Sequence, residues 1–189
     1  HGKGSIYLEH FLKNVLHEPD AAMLSQMISV YKEYPIDEER RIDIVLTGNG
    51  RFIPVEVKIY AGEQQAQCCD YYQYAVKRDK DTYVVYLTLH GTMPSKYSLE
   101  SKDGSYMLDL SNVKTISFEN EIAGWLQELE WMEKDPVLVS TLHQYRQAIR
   151  FVSGDLRERQ KMDLVNMIIS KEDYFRSMIA ISEVIDQTK

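Results

Sequence analysis

The sequence predicts an α/β fold, a mixed sheet covered by helices and followed by a helical C-terminal region. Three observations carry the prediction. Two apolar strand patterns flank Asn49-Gly50, the dipeptide best suited to a two-residue hairpin turn because both turn positions need φ > 0. Residues 82–90 form a near-continuous apolar run, the pattern of a strand buried on both faces. Between them, residues 63–78 show helical spacing, so the strand–helix–strand passage implies a right-handed parallel crossover beside an antiparallel hairpin.

The elements follow in order. Residues 5–16 read as an amphipathic helix with Leu8, Phe11, Leu12, Val15 and Leu16 as its apolar stripe and Ser5 as its N-cap. His17-Glu18-Pro19-Asp20 ends it, and residues 21–29 form a second helix. A first strand over 30–36 precedes the hairpin strands at 41–47 and 52–59. Ala61-Gly62 links to the helix over 63–78, which places Gln64, Gln67, Tyr71 and Tyr74 on one face. Residues 91–112 read as a polar loop with a short hairpin around Asp103-Gly104, and 113–118 as a last strand. Helices follow over 120–133, 136–152 and 160–186, with Trp125 and Trp131 as packing residues. The expected organisation is a core over 1–118 and a helical extension over 119–189 packed on it as one domain.

Composition narrows the class. The chain has 189 residues, 44% of them hydrophobic, enough for a sizeable core. No run of 18 apolar residues and no signal peptide occur, so no membrane association is expected. The only cysteines are the adjacent pair Cys68 and Cys69; they read as structural thiols of a reduced, cytoplasmic protein. The net charge of −7 argues against a general nucleic-acid coat protein. The charge is uneven, however: residues 38–80 hold seven basic and seven acidic residues, while 119–135 hold six acidic residues against Lys134. The chain starts at His1 rather than Met, which reads as a fragment.

The chemistry concentrates on the hairpin. With Asn49-Gly50 at the turn, Asp43 falls opposite Glu56, and Lys58 shares the Glu56 face. Like charges directly opposed are destabilising, and a divalent cation between them gives the arrangement a reason. Asp43 and Glu56 are therefore the expected ligands of Mg²⁺ or Mn²⁺, with the Val57 carbonyl as a further oxygen donor. Lys58 would orient a metal-bound water or neutralise a phosphoryl oxygen. Gln67 and Tyr71, at i and i+4, would support it from the following helix, and Glu9, at the edge of the first helix's stripe, would reach the rim of the cleft. The competing structural readings are plain ones. Glu56 and Lys58 can be the solvated face of an edge hairpin, the tyrosines ordinary packing, and Glu9 a boundary residue. A second Glu-x-Lys, Glu100-Ser101-Lys102, has no opposed acid.

The arrangement of Asp43, Glu56-Val57-Lys58 and Gln67-x-x-x-Tyr71 resembles the PD-(D/E)XK nuclease superfamily. Residues 41–44 (Arg-Ile-Asp-Ile), 54–59 (Pro-Val-Glu-Val-Lys-Ile) and 61–67 (Ala-Gly-Glu-Gln-Gln-Ala-Gln) are similar to a bacterial branch of it. So are His1-Gly2-Lys3-Gly4 and the strand over 86–89, and the likeness covers about residues 1–130. The resemblance implies a restriction-endonuclease-like αβββαβ core and Mg²⁺-dependent cleavage of nucleic acid, DNA first, in defence or repair. It assigns Asp43 and Glu56 as metal ligands, Lys58 as the catalytic lysine, and Gln67 with Tyr71 as the supporting pair. Relatives carry a helical segment ahead of the His-Gly stretch, often with an acidic residue; either that residue lies outside this chain or Glu9 takes its part. Two other classes stand beside this reading. One is a catalytically silent module of the same fold that binds nucleic acid or protein. The other is an interaction scaffold using the acidic 119–135 segment. The oligomeric state is left open, a dimer included.

Overall fold

The computed structural model describes residues 2–38 and 40–154. The chain divides into two compact units, His1–Ile149 and Arg150–Lys189, and the site lies in the first. The described elements are α1 (Gly2–Asn14), α2 (Ala21–Met27), β1 (Ser29–Pro35), β2 (Arg41–Gly48), β3 (Arg51–Lys58), α3 (Gln67–Ala75), β4 (Val84–Thr88), α4 (Lys96–Leu99), β5 (Val113–Ser117), α5 (Ala123–Met132) and α6 (Pro136–Val152). The expected helix over 160–186 lies outside the described residues. Among the described residues no helix is long and apolar enough to cross a membrane.

The five strands lie in the order β1-β2-β3-β4-β5. β1, β2 and β3 pair antiparallel, and β3–β4 and β4–β5 pair parallel. The sheet is thus mixed, as the sequence predicts. Asn49 and Gly50 both take positive φ, 51° and 77°, which sets the hairpin register and pairs Ile44 with Val55.

Each face of the sheet has its own core. On one face Leu46, Ile53, Val55, Val85 and Leu87 pack with Leu12 of α1, Val15 and Leu16 just after it, Leu24 of α2 and Leu126 of α5. On the other, Ile42, Val45, Phe52, Val84 and Tyr86 pack with Cys68, Tyr71 and Ala75 of α3. Burying one such aliphatic side chain contributes on the order of 1.5–3 kcal/mol. Every residue of β4 is buried, as its apolar run requires, and Trp125 packs edge-on against Phe11 with centroids 5.2 Å apart.

The structure departs from expectation in four places. α3 begins at Gln67, not at residue 63. Ala66 adopts a left-handed conformation, φ 58°, and the preceding backbone is held elsewhere, with Arg40 Nη1 donating to Gln64 Oε1 at 2.8 Å and Arg40 Nη2 to the Gln65 carbonyl. Gln64 is therefore not on the Gln67–Tyr71 helical face. α1 runs back to Gly2 instead of starting at a Ser5 cap, because nothing ahead of Ser5 in the described residues interrupts the helix. The 91–112 loop contains α4 and a 3₁₀ turn at Leu110–Asn112, and the hairpin around Asp103 is a single bridge between Glu100 and Met107. Trp131 is 75% exposed rather than packed.

The hairpin's turn end is sterically tight. A Cβ on Gly48 would stand 2.2 Å from the Met27 carbonyl oxygen, whereas one on Gly50 would meet open space. Gly48→Ala is expected to cost about 2 kcal/mol or more by displacing backbone, and Gly50→Ala only about 1 kcal/mol of conformational strain. Urea denaturation of the two variants checks the order; an equal or larger loss for Gly50→Ala contradicts this packing.

Candidate active site

β3 runs through the middle of the sheet, and alternation sends Ile53 and Val55 to one core and Phe52 to the other. Glu56 and Lys58 follow Phe52 onto the α3 face. Glu56 is only 1% exposed, so the solvated-face reading of the hairpin fails. Its Oε1 stands 2.6 Å from Lys58 Nζ, while Oε2 has no hydrogen-bond partner among the described residues. Burial pushes the Glu56 carboxyl up to about 7, reinforced by the charge of Asp43 and opposed by Lys58 and the Tyr71 hydroxyl.

Asp43 arrives from β2. The β2–β3 ladder reaches Ile44↔Val55 and stops. Asp43, next along β2, uses its Oδ2 to accept from the Val57 N–H at 2.8 Å. A side chain thus replaces a backbone partner, and the two strands part at the position where two acids would otherwise be stacked. In an extended strand the N–H and C=O of one residue point to the same edge, so the Val57 carbonyl faces the Asp43 side. β1 is irregular at the same level. Glu33, between the Lys32↔Ile44 and Tyr34↔Ile42 pairs, has φ 50°, a strained conformation for a non-glycine residue.

α3 closes the site from above. Gln67 and Tyr71 are both buried; Gln67 Nε2 donates to Tyr71 Oη at 3.0 Å, and the Tyr71 hydroxyl donates to the Arg41 carbonyl. The pair so clamps the start of β2. Gln67 Oε1 has no partner among the described residues. Burial, then the Glu56 charge, raises the Tyr71 hydroxyl far above its ordinary range. Five of the expected residues therefore converge: Asp43, Glu56, Lys58, Gln67 and Tyr71, with the Val57 backbone. Glu9 is half-buried on α1, which covers the opposite face of the sheet.

Sequence reading missed Glu63 and Arg40. Glu63 Oε1 accepts from Tyr86 Oη at 3.0 Å and from the Ser95 N–H at 2.8 Å, and Oε2 accepts from Ser95 Oγ. Buried Arg40 donates to Asp70 Oδ2 at 3.0 Å, tying α3 to the turn before β2. Neither has a sequence signal, since both partner sets are distant in the chain.

A family model of the PD-(D/E)XK nuclease superfamily matches residues 1–152. The chain belongs to the PD-(D/E)XK nuclease superfamily. No curated protein and no solved structure matches it. Members of the superfamily are in general nucleases that use divalent metal ions and act on nucleic acid.

The residues present fit such an ion. Among the described residues no group of three or more His, Cys, Asp or Glu side chains converges, so the chain would contribute two carboxylates and backbone. Mg²⁺ is commonly held by one or two carboxylates with waters retained. The orphaned Glu56 Oε2 and the direction of the Val57 carbonyl match that donor set.

Metal-free, Glu56 should make the protein pH-sensitive in a defined direction. Its folded value of about 7 lies above its ordinary 4.5, so the folded state holds a proton that the unfolded state releases. Stability is full below the lower value and declines as pH rises through the upper one. Glu56→Gln lacks this loss. In EDTA, its stability relative to wild type should improve by on the order of 2–3 kcal/mol between pH 4 and pH 8. A relative stability that is flat with pH in urea denaturation would mean Lys58 already compensates the charge.

Proposed function

We propose that this member of the superfamily hydrolyses phosphodiester bonds of nucleic acid, DNA foremost, using Mg²⁺ or Mn²⁺ held by Asp43, Glu56 and the Val57 carbonyl. The observation that carries the reading is a buried carboxylate with one oxygen unpartnered among the described residues, set beside a second acid and a lysine where the hairpin opens. Bound there, a divalent ion would act as a Lewis acid and lower the pKa of a water.

The chain's own groups supply the rest. Lys58 is 10% exposed at its side chain, so its ammonium works in a low-dielectric setting where it strongly favours negative charge developing on a phosphoryl oxygen. Gln67 Oε1 can accept a hydrogen bond from Lys58 or from the attacking water. Tyr71, tied to Arg41, holds β2 and β3 at the separation that Asp43 and Glu56 require. Glu9 does not join the convergent set, since α1 covers the other face of the sheet, and its proposed part is limited to the rim of the cleft. Defence or repair remains the biological context proposed.

The closed Glu56–Lys58 pair at 2.6 Å also suits a silent module that binds nucleic acid through the same face. Such a module would show salt-sensitive affinity without turnover.

Plasmid, linear DNA and RNA incubated with and without Mn²⁺ separate the two. Wild type should cleave at least one substrate, and Asp43→Asn, Glu56→Ala and Lys58→Met should each lose 10²-fold or more, roughly the value of a positioned acid–base or electrostatic group. Calorimetric Mn²⁺ binding should disappear in Asp43→Asn and persist in Lys58→Met. Glu9→Ala should lose less activity than Asp43→Asn. Wild-type cleavage by Glu56→Ala sinks the assignment.

A further inference from the structure

An open cleft of about 580 Å³ is lined by Lys58 but by neither Asp43 nor Glu56. Its walls include Lys58, Tyr60, Tyr86, Thr88, His90 and Met93. Its shape is fixed by hydrogen bonds. Glu63 holds Tyr86 and Ser95 together across it, through the contacts given above. The Thr92 N–H donates to Thr88 Oγ1 at 2.8 Å, and His90 Nδ1 stands 2.7 Å from Glu119 Oε2. Thr115 Oγ1 lies 2.9 Å from Met93 Sδ. Of the two tyrosines in its walls, Tyr86 is buried and Tyr60 is 80% exposed. Tyr60 belongs to neither core.

We propose that this cleft binds an unpaired nucleotide adjoining the phosphate at Lys58, with its base stacked on Tyr60. The inference rests on the nuclease reading and names the form of its substrate, single-stranded or frayed nucleic acid in preference to blunt duplex. The volume lies within the range of small-ligand sites. Continuity through Lys58 places a flanking residue of the same strand there. The mixed lining, with the Tyr86 hydroxyl and Thr88 beside Met93, suits a sugar and base better than a purely apolar ligand. Stacking on an aromatic ring tolerates any base but needs a base that is not already paired.

The test uses the full chain in EDTA, where binding is read without turnover. Fluorescein-labelled single-stranded and blunt duplex oligonucleotides of one sequence, as DNA and as RNA, are titrated by fluorescence anisotropy. Wild type should favour the single strand, and the DNA and RNA arms identify which chemistry the cleft takes. Tyr60→Ala should weaken single-strand binding about tenfold, the scale of one lost base stack, and leave duplex binding unchanged. Tyr60→Phe should restore it. Thermal melting should be the same for all three proteins, given the exposure of Tyr60. Equal weakening for both nucleic-acid forms, no weakening, or failure of Tyr60→Phe to restore affinity overturns the inference.

Plasmid cleavage by wild type and Tyr60→Ala in Mn²⁺ runs in parallel. Cleavage by both, without a single-strand effect, discards the stacking site and keeps the nuclease reading. Neither binding nor cleavage by wild type discards both.

Discussion

A carboxylate at the centre of a sheet constrains everything near it. Glu56 is less exposed than Leu46 or Leu87 in the neighbouring core. An ionised group so placed costs several kcal/mol unless its surroundings answer it. Lys58 approaches one oxygen, and the proton affinity of the carboxyl rises. The β2–β3 ladder is given up beyond Ile44↔Val55, with the Asp43 side chain taking over a backbone donor. The Gln67–Tyr71 pair then secures the strand that has parted, through the Arg41 carbonyl. Each of these features would be unnecessary with an apolar residue at position 56. Real sheets break their own rules at sites of function and compensate nearby.

The other end of the hairpin shows what a purely structural polar cluster looks like. Arg51 bridges the two Glu18 oxygens at 3.0 and 3.2 Å and lies 3.4 Å from Asp79. Asp79 accepts from the Phe52 N–H at 3.0 Å, and Tyr83 donates to Glu18 at 2.6 Å. Both carboxylates are engaged, and the cluster clasps the link after α1, the hairpin turn and the approach to β4. The cationic Arg51 there is flanked by acids, and among the described residues only its Nε lacks a partner. At the Glu56 end the orphaned atoms are acceptors, Glu56 Oε2 and Gln67 Oε1. Orphaned acceptors around a pair of acids call for a cation or a donor. A rigid turn end and an open far end suit a site that must be held within a fraction of an ångström.

The sequence made the hairpin legible because its determinants are local. Asn49-Gly50 sets the turn, the turn sets the register, and period-two alternation assigns Glu56 and Lys58 to one face and Val55 to the other. The buried strand over 82–90 was legible for the same reason, a run of side chains that tolerates no solvent. What the sequence concealed depends on distant partners. The start of α3 is displaced because Arg40 holds Gln64 and Gln65, and helical periodicity carries no trace of that competition. Glu63 looked like the first turn of a helix, yet its carboxylate spans to Tyr86 and Ser95. The parting of β2 from β3 was hidden too, since pairing rules place Asp43 opposite Glu56 but do not say that the ladder ends one residue earlier.

The electrostatic conflict at Glu56 links folding to occupancy. The charge of Glu56 is met by one ammonium and disfavoured by burial, and Oε2 has no partner among the described residues. A divalent cation at the opening would favour the ionised form of Glu56, so its binding would expel the proton that burial retains. Because the two acids meet only in the folded hairpin, that binding would act on the native state alone and stabilise it by mass action. The strain at Glu33, the early end of the ladder and the raised carboxyl then become parts of one arrangement.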